Sequence, residues 1–120
     1  YSLMKKIILV FNNKSFVRKP QTAAEVAYIK SFGGEYKVNS DDIYEFLTRK
    51  FKEFTGEDLR ESIDDQIYEE KSRVIYCRLN KLDEFIDMLN GFDKDQLCCL
   101  DEVRSEDSKN TLWVNKFQYE

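Results

Sequence analysis

The run Ile7 to Phe11 is apolar at odd and even positions alike, which predicts a central strand covered on both faces. Asn12-Asn13-Lys14-Ser15 follows as a turn, and residues 16 to 21 read as irregular chain with Pro20 close to the next element. Thr22-x-x-Glu25 has the spacing of a capping box, in which the Thr hydroxyl accepts from the Glu25 N–H. It predicts a short helix from Ala23 to about Phe32, stopped at Gly33-Gly34. Val26, Tyr28 and Ile29 favour strands, so a strand is the competing reading there. Glu35 to Val38 adds a short edge strand.

The clearest helical stripe is Ile43, Phe46, Leu47, Phe51 and Phe54, introduced by Ser40 as its cap and stopped by Thr55-Gly56. Asp41 and Asp42 in the first turn, and Arg49, Lys50 and Lys52 towards the end, suit the helix dipole. A second helix is expected from about Glu57 to Glu70, with Leu59, Ile63 and Ile67 inward. Ser72 to Leu79 reads as another buried strand. Asn80 then caps a helix with Leu82, Phe85, Ile86 and Leu89 inward, closed by Asn90-Gly91. Gln96 to Arg104 and Thr111 to Tyr119 read as an antiparallel pair joined by the polar turn Ser105 to Asn110. The strand–helix–strand unit from 73 to 104 predicts a right-handed parallel crossover. The expectation is one α+β domain spanning residues 1–120, a mixed sheet of four or five strands packed by three to four helices.

Composition supports one core of ordinary size: 120 residues, 42% apolar, with nine Phe, seven Tyr and one Trp. No apolar run approaches the ~20 residues of a membrane helix. Lys5-Lys6 followed by Ile7 to Phe11 has the outline of a signal peptide, but the run is too short and lacks a small-residue cleavage site. Tyr1-Ser2-Leu3, ahead of Met4, are expected to be an appended remnant. Cys77, Cys98 and Cys99 lie in apolar runs and cannot form an even disulfide framework, so a reducing, cytoplasmic location is expected.

The absence of histidine changes the chemical picture most. It removes Ser-His-Asp and Cys-His pairs, imidazole acid–base chemistry and two-His metal sites. Three cysteines cannot make a four-cysteine zinc site, and adjacent Cys98-Cys99 on a strand would point to opposite faces. Gly33-Gly34 is followed by Glu35-Tyr36, which matches neither a phosphate-binding loop nor a dinucleotide fingerprint. Carboxylate pairs remain at Asp41-Asp42, Asp64-Asp65, Asp93-x-Asp95 and Asp101-Glu102, the material of a Mg²⁺-dependent or glycosidase-like site. No catalytic residue, metal ligand or cofactor site is assigned. Asp101 is the one carboxylate expected to point inward.

Charge is unevenly distributed. Residues 1–39 carry seven Lys/Arg against two Glu, and residues 40–71 eleven Asp/Glu against five Lys/Arg, within a net charge of −4. On the expected second helix, Asp58, Glu61, Asp65, Tyr68 and Glu69 fall opposite the apolar side. The result is a carboxylate stripe that repels itself and would be relieved by a basic partner. The expected function is a non-catalytic partner-binding protein, such as an inhibitor, immunity or anti-defence factor of bacterial or phage origin. Its acidic helical face would block a basic, nucleic-acid-handling protein. Lys5, Lys6, Lys14, Arg18 and Lys19 offer the alternative, a nucleic-acid-binding domain, with Trp113, Phe117 and Tyr119 as a stacking platform. A carboxylate-based enzyme is the third reading.

Overall fold

A computed structural model describes residues 4–115. In chain order the elements are β1 (Lys5–Asn12), β2 (Phe16–Val17), α1 (Ala23–Phe32), β3 (Lys37–Val38), α2 (Ser40–Thr55), a 3-10 turn (Leu59–Ser62), β4 (Ile63–Tyr68), β5 (Ser72–Leu79), α3 (Leu82–Asn90), a second 3-10 turn (Lys94–Leu97), β6 (Leu100–Ser105) and β7 (Thr111–Val114). The large sheet has the order β4-β5-β1-β6-β7, and β2 pairs separately with β3. The class is α+β, as expected, with five strands and three helices.

Every neighbouring pair in the sheet is antiparallel. The expected parallel neighbours β5 and β6 do run the same way, but β1 lies between them, hydrogen-bonded to both. This is split β-α-β connectivity, so no parallel ladder forms. β1 is central because its side chains Ile7, Leu9 and Phe11 are all fully buried under the helices.

Each helix forms where its local signals coincide. Asn39, one residue before the expected Ser40, is the cap of α2: its side chain accepts from the Asp42 N–H at 3.2 Å, and Asp42 accepts from the Asn39 N–H at 2.9 Å. Gly56 ends the helix at φ 83°, a left-handed position that a side chain would strain. Lys81 donates its ammonium to the freed Thr55 carbonyl at 2.9 Å. The buried face of α2 is Ile43, Tyr44, Leu47, Thr48 and Phe51, rotated slightly from the expected stripe, so that Phe54 is left 59% exposed. α3 contributes Phe85, Met88 and Leu89 to the same core.

Residues 23–32 are helical. Thr22 accepts from the Glu25 N–H at 3.1 Å, and Glu25 reaches back to the Gln21 N–H at 3.0 Å. α1 buries none of its residues. It belongs to an excursion, residues 18 to 36, closed at its base by the β2–β3 ladder.

Two further expectations are overturned. Residues 57–70 are not a helix but a 3-10 turn followed by an edge strand. Ile63 and Ile67, at helical spacing, are instead on opposite faces of β4, because a bulge between Ile63 and Asp65 shifts the register. Pairing with β5 also brings cations to carboxylates that would repel one another on a helix: Arg78 meets Asp64 at 2.6 Å. The second difference lies at residues 94–99. Asp93 and Gln96 cap one another and hold a 3-10 turn where strand was expected, so β6 starts only at Leu100. The expected strand from 111 ends at Val114 within the described residues, and Phe117 and Tyr119 lie outside them. No described helix is long and apolar enough to cross a membrane.

Candidate functional site

The five predicted acidic-face residues lie along one border of the molecule, but not on one helical face. Asp58 caps the first 3-10 turn, accepting from the Arg60 N–H at 3.0 Å and from its guanidinium at 3.3 Å. The Arg60 amide, with help from the guanidinium, holds the Asp58 carboxyl below its ordinary range. Glu61 projects from the same turn and is exposed. Asp65 lies on the sheet face away from the helices and accepts from the Gln66 N–H at 2.8 Å. Tyr68 is on the opposite, helix-bearing face, its ring 5.0 Å from the Arg73 guanidinium carbon. Glu69 sits in the β4–β5 turn, where it accepts from the Ser72 hydroxyl at 3.3 Å.

What unites these residues is the free edge of the sheet. From Glu57 to Lys71 the chain carries seven acids (Glu57, Asp58, Glu61, Asp64, Asp65, Glu69, Glu70) and two bases (Arg60, Lys71), a local charge of −5. The turn at its end is pinned to the body: the Asn13 side-chain amide donates to the Glu69 carbonyl at 2.8 Å and the Ser72 carbonyl at 3.0 Å. Glu69 and Glu70 are therefore held in a turn tied to the end of β1 rather than on a loose loop.

Sequence reasoning missed Arg73 altogether. Although only 6% exposed, it lies between the rings of Tyr44 (5.2 Å) and Tyr68 (5.0 Å). It donates to Asp41 at 2.5 Å and Gln66 at 2.8 Å, while its Nε has no partner among the described residues. Asp41 is 32 positions away in sequence, so no local pattern signals the contact. Two partly desolvated cation–π contacts, worth ~0.5–1 kcal/mol or more each, plus lost packing of the stem predict that Arg73→Ala costs about 2 kcal/mol. Asp41→Asn is expected to cost less than about 1 kcal/mol, because the Asp41 carboxylate is 74% exposed and well screened. Urea midpoints of the two variants against the parent check both figures.

The remaining candidates separate. Lys5 and Lys6 open β1, whereas Lys14, Arg18 and Lys19 follow its far end. An eight-residue strand puts roughly 26 Å between the groups at ~3.3 Å per residue. Arg18 is also engaged, paired with Glu25 at 3.5 Å and stacked on Tyr36 at 5.6 Å. Trp113 pairs with Val103 and packs against the core, as core packing rather than stacking would have it.

Among the carboxylate pairs, Asp41 is tied to Arg73, Asp42 to the α2 cap and Asp64 to Arg78. Asp101 is only half-buried, at the register shift of β6 against β1, rather than pointing into the core. Among the described residues no three His, Cys, Asp or Glu side chains are placed to hold a metal ion.

Cys98 and Cys99 correct one expectation. They fall in a turn before β6, not on a strand, and their sulfurs approach to 4.0 Å. Their mutual hydrogen bond lowers the Cys98 pKa and raises that of Cys99, with burial adding to the rise. All three cysteines are buried. No known protein family matches the chain, and neither does any characterised protein or solved structure.

Proposed function

We propose that this chain is a non-catalytic partner-binding domain that presents the acidic border around β4 to a basic protein. The observation that carries the reading is the −5 charge of residues 57–71, concentrated on one ordered sheet edge and larger than the net −4 of the whole chain. Charge of one sign on a fixed surface steers a partner of the other sign and speeds encounter. Inhibitors, immunity proteins and anti-defence factors that block nucleic-acid-handling enzymes work on basic partners of this kind, and a bacterial or phage cytoplasm is the setting proposed.

Exposed Glu61, Asp65 and Glu69 can be changed without touching the core, whereas Asp58 is committed to its cap. The triple variant Glu61→Lys, Asp65→Lys, Glu69→Lys is expected to fold normally and to slow association with a lysine-rich peptide at least tenfold at low salt. The difference should shrink as salt screens it. Surface plasmon resonance at two salt concentrations, with circular dichroism to confirm folding, reads the result. Equal association rates for parent and variant overturn the proposal. Tyr68 is a poorer probe, because its ring covers Arg73 and Tyr68→Ala also removes that contact.

A further inference from the structure

The sheet has one face under helices and one without. Strand register puts Ile8, Val10, Ile67, Val74, Tyr76 and Val114 together on the second face. Its centre is apolar: Ile8 pairs with Tyr76, and Val10 and Ile67 both pair with Val74. No described helix covers it, since the buried residues of α2 and α3 belong to the cluster around Ile7, Leu9 and Phe11. An antiparallel sheet with a solvated face ordinarily alternates apolar and polar residues, whereas β1 is apolar on both. The sequence of β1 is that of a strand covered twice, whereas helices cover one face only and on the other neighbouring side chains alone shield Ile8, 8% exposed, and the half-buried Val10.

We propose that a second copy of this chain supplies the missing cover, as a symmetric dimer packed face to face across the open sheet. Area favours this surface over α1, the other uncovered apolar element. Five strands ~4.8 Å apart and about six residues long give a footprint of roughly 24 by 20 Å. Roughened by side chains, that area is of the order of the ~800 Å² per partner of a stable interface. A ten-residue helix, about 15 Å long and ~10 Å wide, falls far short.

Charge points to self-association rather than to the basic partner of the β4 border. Lys6, Arg78 and Arg104 stand against Asp64, Asp65, Glu102 and Glu106 on and around the face, a net charge of −1. Two of these pairs are already closed, Arg78 with Asp64 at 2.6 Å and Arg104 with Glu102 at 3.0 Å. A face of mixed, internally paired charge meets its own copy without like-charge repulsion, as an isologous interface requires. A shallow depression of about 330 Å³, lined by Lys6, Asp64, Asp65, Ile67, Tyr76 and Glu106, leaves room for side chains of the opposing copy.

Sedimentation equilibrium of the full chain at about 100 µM, within the micromolar-or-tighter range of interfaces this size, is expected to give twice the 14.3 kDa chain mass. Ile67→Lys and Val114→Lys alter side chains that are 40% and 51% exposed, near opposite edges of the face, so neither threatens folding. Each should weaken dimerisation at least tenfold, while Phe32→Lys on α1 leaves it unchanged. A mass of 14.3 kDa at that concentration overturns the proposal, whether a chain tail, a different protein or nothing covers the face. So does a dimer that withstands both sheet variants, or one that Phe32→Lys dissociates.

Discussion

Phe51→Ala is expected to destabilise the fold by about 3–5 kcal/mol, the range for deleting a fully buried phenylalanine. Phe51 is completely buried near the C-terminal end of α2 and meets the Phe85 ring of α3 edge-on, with centroids 5.3 Å apart at 90°. That contact joins the two helices over the sheet, and such pairs add ~0.5–1.5 kcal/mol beyond area burial. A domain of this size is stable by only ~5–15 kcal/mol, so one substitution removes a large share of the total. Phe54→Ala, one turn on, is the internal control: its ring is 59% exposed, and the change should stay within about 0.5 kcal/mol. Urea unfolding of both variants at constant slope tests the contrast. A loss below about 1 kcal/mol at Phe51 contradicts the burial described above.

Alkaline pH should unfold the protein through Cys77. Its thiol lies at 0% exposure on β5, and burial, with a smaller contribution from the Asp64 carboxylate, pushes its pKa from 9.0 up to about 12. The folded state holds the thiol proton more tightly than the unfolded chain. The stability linked to it is therefore complete below pH 9 and is lost as pH rises towards 12. Three units correspond to roughly 4 kcal/mol at ~1.4 kcal/mol each. Tyrosine and lysine side chains ordinarily ionise at about pH 10, so the quantity to measure is a difference. Between pH 9 and 12 the urea midpoint of the parent should fall more steeply than that of Cys77→Ala. Parallel curves for the two proteins would show that Cys77 does not couple folding to alkali.

Elements whose causes are local were legible in the sequence. β5 and α1 appear at the expected residues, because an apolar run between polar turns and a Thr-x-x-Glu start before paired glycines are short-range signals. α2 was displaced by a single residue at its cap. β4 was misread because Ile63 and Ile67 mimic a helical repeat, while the bulge that places them on opposite faces exists only against β5. The acidic residues of the candidate site were legible as a composition, but their arrangement was not. A stripe on a helix and a border on a sheet edge contain the same letters. Arg73 stayed hidden because its partners Asp41 and Tyr44 are brought to it only by tertiary packing.

The position of β1 also orders events in time. It leaves the ribosome before β5 and β6, yet pairs with both, although their residues follow some 60 to 100 positions later. Contacts so distant in sequence must overcome loop-closure entropy before they return any stability, which slows folding. Until Ser105 has been added, one of the two ladders flanking Ile7 to Phe11 cannot be complete. Until then this most apolar strand has an unpaired edge open to neighbouring nascent chains, the circumstance in which strands aggregate. Lys5 and Lys6, ahead of the run, and Lys14, beyond it, place like charge at both ends of that vulnerable segment, where it acts as a gatekeeper until the sheet closes.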